Sequence, residues 1–164
     1  MWNSKVPSRV AFFIWIAALG RILTTDNLLK QRIIILDLCC MCRSGGDSVN
    51  HLPMHCSVAQ ELWSMLLNMF GVSWLMPRDV VDLLSCWFGK VGKDEAGAIW
   101  KAIPHCLMWC LWYERNARTF TGESRLMPAL KFYFLQSLFD WLKASRIVTS
   151  NSLTDMIDTC SFCN

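Results

Sequence analysis

Charged side chains are scarce in this chain of 164 residues, where Asp, Glu, Lys and Arg together make up 18%, against a typical share of about 25%. With hydrophobic residues at 54%, that scarcity argues against disorder over most of the length. Long apolar runs are absent too: none reaches the roughly 18–20 residues of a membrane span. The nearest, Ala98 to Tyr113, is broken by Lys101, Pro104 and His105. There is no phosphate-cradling glycine loop, no G-x-S-x-G and no H-E-x-x-H, and no serine or carboxylate stands at a suggestive offset from His105. The chain by itself is therefore not expected to be an enzyme or a membrane protein. Internal repeats and low-complexity segments are also missing.

What is present is apolar bulk and sulfur. Nine Trp and nine Phe must be buried in a core or against a partner, and a length near 150 sets a prior of one domain. Nine Cys is an odd number, so the set cannot be fully paired in disulfides, and a chain of this size does not need such staples. An intracellular, reducing compartment is the expectation, nucleus or cytoplasm undecided. Lys5 and Arg9 ahead of the apolar run Ala11 to Leu19 imitate a short signal peptide. The alternative is a buried first helix, with Pro7 in its first turn and Arg21 at its end.

The net charge of +3 is unevenly spread. Residues 1–43 hold six bases against Asp26 and Asp37, residues 44–100 three against six acids, and residues 101–148 seven against three. Two basic flanks around an acidic middle permit phosphate contact without requiring it.

Most of the chain reads as helix. Pro7 to about Leu23 is apolar almost all round, and a cap at Thr24 or Thr25 starts a second short helix through Leu28 to Arg32. Ile33 to Leu38 is an apolar run of strand length. Ser57 with Gln60 has capping-box spacing, and Val58, Leu62, Met65, Leu66 and Met69 recur at helical intervals, predicting a helix over 57–70. Pro77 and Asp79 open another through Leu84 to Trp87, and Gly89 to Gly97 reads as a polar loop. Helices over about 98–118, kinked or restarted at Pro104, and 128–145 follow, then a polar tail. The expected organisation is a helical unit over 1–88, a helical region over 98–146 packed on it, and a loose tail over 147–164.

Four cysteines and two histidines crowd the segment CCMCRSGGDSVNHLPMHC, residues 39–56. Cys39-x2-Cys42 can turn two sulfurs toward one ion, Gly45-Gly46 reverses the chain, and the return leg offers His51 and Cys56. The resulting C-x2-C-x8-H-x4-C suits one structural Zn²⁺ with no position left for water or substrate. Cys40 in place of Cys39, or His55 in place of Cys56, gives a poorer set, and small buried thiols with no metal remain an alternative. Three thiolates and a neutral imidazole would leave the site about −1. Any nucleic-acid contact therefore falls to neighbouring Lys30, Arg32 and Arg43 and to exposed aromatics. A second C-x2-C, Cys160 and Cys163, has nothing after it to complete a site.

Beyond spacing, an ordered set of residues carries a family likeness. Trp2, Val6-Pro7-Ser8-Arg9-Val10, Phe13, Trp15, Gly20-Arg21, Thr24, Leu28, Cys39-x2-Cys42, Val49, His51-Leu52, His55-Cys56 and Trp63 resemble the zinc-binding domain that follows the polymerase in plant LINE-type (non-LTR) retrotransposon reverse transcriptases. Downstream, Trp112-Tyr113-Glu114-Arg115-Asn116-Ala117-Arg118-Thr119-Phe120 is similar to a W-x-E-R-N-x-R-x-F segment of the same plant proteins. The resemblance implies a mostly α-helical fold with an irregular zinc-knuckle loop followed by further apolar helices. It also implies zinc ligation by Cys39, Cys42, His51 and Cys56, a buried first helix rather than a signal peptide, and a supporting role beside RNA or DNA. Partners would be a reverse transcriptase or the rest of a polyprotein. The paired-aspartate polymerase motif and any endonuclease or ribonuclease H core are absent from these residues, so the chain resembles a fragment or a detached remnant of a longer element. A protein-interaction or purely structural role is the competing expectation.

Overall fold

Proline lacks an N–H and has its φ already near the helical value, so the chain enters α1 (Ser8–Ala18) directly behind Pro7. The computed structural model describes residues 6–33, 36–87 and 94–160. Helix α1 stops well short of Leu23, because Gly20 adopts φ 67° and closes the end. Gly20 N donates to Ala17 O at 2.9 Å and Arg21 N to Ile16 O at 3.0 Å, the paired bonds of a Schellman motif. The same two-bond closure follows α2 (Thr25–Lys30), α3 (Ser57–Met69) and α6 (Met127–Ala144). After α2 and α6 the left-handed residue is an arginine, Arg32 at φ 61° and Arg146 at φ 54°. A Cβ in that conformation costs about 1–2 kcal/mol.

Three local expectations are corrected. Cys56, not Ser57, is the N-cap of α3. Ser57 is thus already helical, Gln60 N bonds Cys56 O at 2.8 Å, and no side-chain cap forms. Of the apolar run Ile33 to Leu38, residues 34–35 lie outside the described residues, and the rest is in no strand. Leu36 is 86% exposed; an extended segment without a neighbour has nothing to pair its backbone groups. Glu95-Ala96-Gly97 open α5 (Glu95–Asn116) instead of ending a loop, since Asp94 accepts the Gly97 N–H at 3.0 Å as N-cap. The start of that loop, residues 89–93, lies outside the described residues.

Helix α5 is the axis of the molecule. It passes through Pro104 without restarting and buries Ile99, Ile103, Cys106, Leu107, Cys110 and Leu111, with α1 and α6 packed against it. Helix α4 (Val80–Trp87) starts where Asp79 Oδ1 accepts the Asp82 N–H at 2.8 Å. It delivers Trp87 onto Trp100 of α5. Those rings stack 4.2 Å apart at 8°, and each indole N–H donates to the other residue's carbonyl, at 2.8 and 3.2 Å. Trp63 and Trp74 abut Trp87, and Phe70 meets Trp100 edge-on. Phe13 of α1 lies between Trp109 and Trp112. Buried side chains from Val10 to Cys160 form one continuous core, shared by residues of the 1–88 and 98–146 regions. Within the segment expected to be a loose tail, Leu153–Thr159 form α7. Its Met156 is fully buried, an apolar anchor that a reading by overall polarity passes over.

At the lower end of α5 the chain widens into a π-helical turn, Ala117–Thr121, ended by Gly122. Glu114, fully buried, organises this corner. It accepts from Arg118 Nε at 2.9 Å, Arg125 N at 2.8 Å and Arg125 Nη1 at 2.8 Å. Burial pushes its carboxyl up, but the hydrogen bonds from Arg125 and Arg118 prevail and hold it below its usual value.

Replacing Arg146 with Gly should raise the stability of the chain by about 1 kcal/mol, read as a higher urea midpoint, because it removes the left-handed penalty at an exposed site. Replacing Glu114 with Gln should cost about 3 kcal/mol near neutral pH, since two arginines lose their buried anion. The carboxyl is depressed in the folded state, so its contribution is present above the ordinary carboxyl range and is lost as pH falls through the depressed value. The stability gap between wild type and Glu114→Gln should accordingly narrow in urea titrations carried from pH 6 down to pH 3.

Candidate metal centre

The cysteine loop is built by two backbone bonds that clasp it at the base. Cys39 N donates to Gly45 O at 2.9 Å and Arg43 N to Cys39 O at 2.8 Å, which turns residues 39–45 into a tight reversal. Positive φ is needed twice, at Arg43 (57°) and Gly45 (84°). The return leg is a π-helical turn, His51–His55, in which Cys56 N reaches back five residues to His51 O at 2.7 Å. Ser48 Oγ accepts the His51 N–H at 3.0 Å. Trp63 of α3 donates its indole N–H to Pro53 O at 2.8 Å, tying the turn to the core.

These clasps bring together Cys39 Sγ, Cys42 Sγ, a His51 ring nitrogen and Cys56 Sγ, all within 4.8 Å of one another. Cys39 and Cys56 sulfurs are 3.9 Å apart and Cys42 Sγ lies 3.3 Å from His51 Nε2. A tetrahedral Zn²⁺ with Zn–S near 2.3 Å and Zn–N near 2.0 Å has ligand–ligand edges of about 3.5–3.8 Å. The donor set therefore fits such an ion with a closure of about 1 Å at most. Cys39 and Cys56 are buried, while Cys42 and His51 are half-buried. Their protonation reflects the pairing: the hydrogen bond to Cys56 and then burial push the Cys39 thiol up, and that same bond pulls Cys56 down.

The two substitute donors point elsewhere. Cys40 Sγ is 3.7 Å from Arg115 O and 3.5 Å from Thr119 Oγ1, and His55 Nε2 is 3.0 Å from Arg78 O. Of the other described cysteines, Cys106, Cys110 and Cys160 are buried core thiols and Cys86 is exposed. Burial pushes Cys106 well up and Cys160 up to about 12, states unsuited to metal or nucleophilic work. Cys163, the partner in the second C-x2-C, lies outside the described residues. His105 is buried in α5, and burial pulls its imidazole down.

Lys30, Arg32 and Arg43 are all exposed. Lys30 is partly engaged by Asp26 at 3.6 Å and Asn27 Oδ1 at 3.3 Å. The backbone conformation of Arg32 is explained by its place after α2, and that of Arg43 by the reversal, so the conformations alone do not single out these arginines as contact residues.

Individual residue types did not point to a third group beside the cluster. Asp47, between Cys42 and His51 in sequence, is almost fully buried and pairs with Arg115 of α5, whose Nη2 is 2.8 Å and Nε 3.1 Å from Asp47 Oδ2. Thr25 Oγ1 donates to the same oxygen at 3.2 Å. The signal was the W-Y-E-R-N-A-R-T-F segment itself, which supplies Arg115 and Arg118.

Comparison with known proteins agrees with this geometry. Residues 1–63 match the family described as zinc-binding in reverse transcriptase. A putative ribonuclease H protein of Arabidopsis thaliana is 20% identical over 135 residues, which is 80% of this chain and 21% of that protein. The chain thus spans about one fifth of that relative's length. No solved structure matches. The clustered donors lie inside the matched segment, so residues 1–63 of this helical chain are similar to the zinc-binding domain of reverse transcriptases both in sequence and in their donor set.

Proposed function

We propose that Cys39, Cys42, His51 and Cys56 hold one structural Zn²⁺, and that the domain is a non-catalytic support for RNA or DNA beside a reverse transcriptase of a plant LINE-type element. The observation that carries the reading is the convergence of three sulfurs and one imidazole within 4.8 Å inside the segment matching the zinc-binding family. Four protein donors complete a tetrahedron, which favours a folding role over Lewis-acid chemistry at an open position. The thiolate-rich centre repels phosphate, so backbone contact is assigned to the exposed side chains of Lys30, Arg32 and Arg43. Free thiols at this density suit a reducing compartment. Among the described residues no helix is long and apolar enough to cross a membrane.

A second reading is favoured by one surface. Phe12, Trp15, Leu19 and Leu23 are each about half exposed along α1 and the turn after it. Such a stripe suits packing against another protein, including a neighbouring part of a longer polypeptide, with no nucleic-acid contact retained.

Protein purified under reducing conditions should carry about one zinc per chain, measured by metal analysis. Cys42→Ser should lose the ion and much of the helical signal, because a structural site contributes its binding energy to folding. Cys40→Ser and His55→Gln should keep the full zinc content. Titrated with single-stranded RNA, the zinc-loaded chain should bind with an affinity that falls as salt rises, by about 0.7 in the log–log slope per phosphate contacted. Arg43→Ala should reduce that slope. Salt-independent or absent RNA binding by a zinc-loaded chain would leave the interaction reading in place of the nucleic-acid one.

A further inference from the structure

The contacts that shut the cysteine loop come from residues 115–119, about sixty positions beyond the last of its four donors. Arg115 grips Asp47 through two nitrogens on one oxygen. Arg118 Nη1 donates to Met41 O at 3.3 Å, and Cys40 Sγ rests on Arg115 O and Thr119 Oγ1. These three landing points have a common property. Cys40 and Met41 are the two residues between donors Cys39 and Cys42, and Asp47 lies between Cys42 and His51. Each tether therefore fixes a stretch of backbone bounded by donors on both sides.

The tethers are themselves preorganised from behind. Glu114 holds Arg118 by its Nε and engages Arg125 twice, while the Arg115 guanidinium lies 5.3 Å from the centre of the Trp112 ring and donates Nη1 to Asn116 Oδ1 at 3.1 Å. The Asp47–Arg115 pair is nearly solvent-free, with side chains 2% and 5% exposed. Asp47 Oδ1 has no hydrogen-bond partner among the described residues, so the carboxylate depends on the contacts to Oδ2. A buried anion that loses its cation is strongly destabilised. Without Arg115 the loop has reason to open and carry Asp47 to water, which would separate Cys42 from His51.

We propose that Arg115 and Arg118 are positioning residues of the metal loop, so that ion binding at residues 39–56 and ordering of the segment 114–121 are one coupled equilibrium. The working zinc unit then extends past residues 1–63 to the end of the π-helical turn at Thr121. The proposal rests on the metal reading above. Coupling of this kind is reciprocal: the factor by which the latch tightens the ion is the factor by which the ion steadies the latch.

The test uses the full chain and two readouts, zinc affinity by competition with a chromogenic chelator and amide hydrogen exchange of residues 114–121 with and without zinc. Arg115→Met should weaken zinc by about tenfold or more. Arg118→Met, a milder change that keeps the folded protein available if the first variant does not fold, should weaken it severalfold. Leu142→Ala, a core truncation near the far end of α6, controls for general destabilisation and should change affinity less than twofold. Removing zinc from the wild type should speed exchange across 114–121 by about tenfold while sparing the middle of α6. A wild type that binds no zinc overturns the metal reading and the coupling with it. A wild type that binds zinc, with Arg118→Met equally tight or with exchange over 114–121 unchanged by the ion, overturns the coupling alone. A loss in Leu142→Ala as large as in the arginine variants also overturns it.

Discussion

A carboxylate and a guanidinium that have both left water, Asp47 and Arg115, join the cysteine loop to the central helix. Taking such charges out of solvent costs several kcal/mol each, and that cost is offset only where the two meet. Their encounter therefore constrains everything around it. The loop must sit against the C-terminal end of α5, Thr25 must approach from α2 to fill the shared oxygen, and the α5 axis must deliver Arg115 at the right height. A salt bridge on the surface would impose none of this, because water would compensate either partner.

Helix α5 meets that demand by being buried over most of its length and charged at its end. Its middle carries apolar residues on every side, so α1 and α6 can both pack against it. Its last turn and the π-helical turn that follows carry Glu114, Arg115 and Arg118, each engaged in the interior or at its edge. The aromatic stack of Trp87 on Trp100 secures the opposite end through reciprocal indole-to-carbonyl bonds. One end of the helix is thus held by ring packing and hydrogen bonds, the other by charge. The proposed zinc would add a third constraint, next to the charged end.

Much of the donor cluster was legible before any fold was known, because a cysteine pair two residues apart and a return leg of fixed length restrict which atoms can meet. The helices over 57–69 and 127–144 were legible from apolar periodicity, which reports directly on a half-buried face. Boundaries set by a single capping bond were not. Asp94 as N-cap moved the start of α5 back by three residues from the expected Ala98, and Gly20 cut α1 short. A cap depends on one hydrogen bond, which competes with neighbours of similar strength, so composition around it carries little information.

By itself the sequence determined a helical, aromatic-rich chain and a short list of sulfur and imidazole donors, since periodicity and chelate spacing are local properties of a chain. Tertiary structure decided which donors converge and which are diverted: Cys40 and His55 differ from the clustered residues only in where the loop directs their side chains. It also decided that Arg115 and Arg118 serve the loop at all. Contacts between residues 40–47 and 115–119 join positions 68 to 79 residues apart, and no local preference of either segment encodes a meeting across that separation.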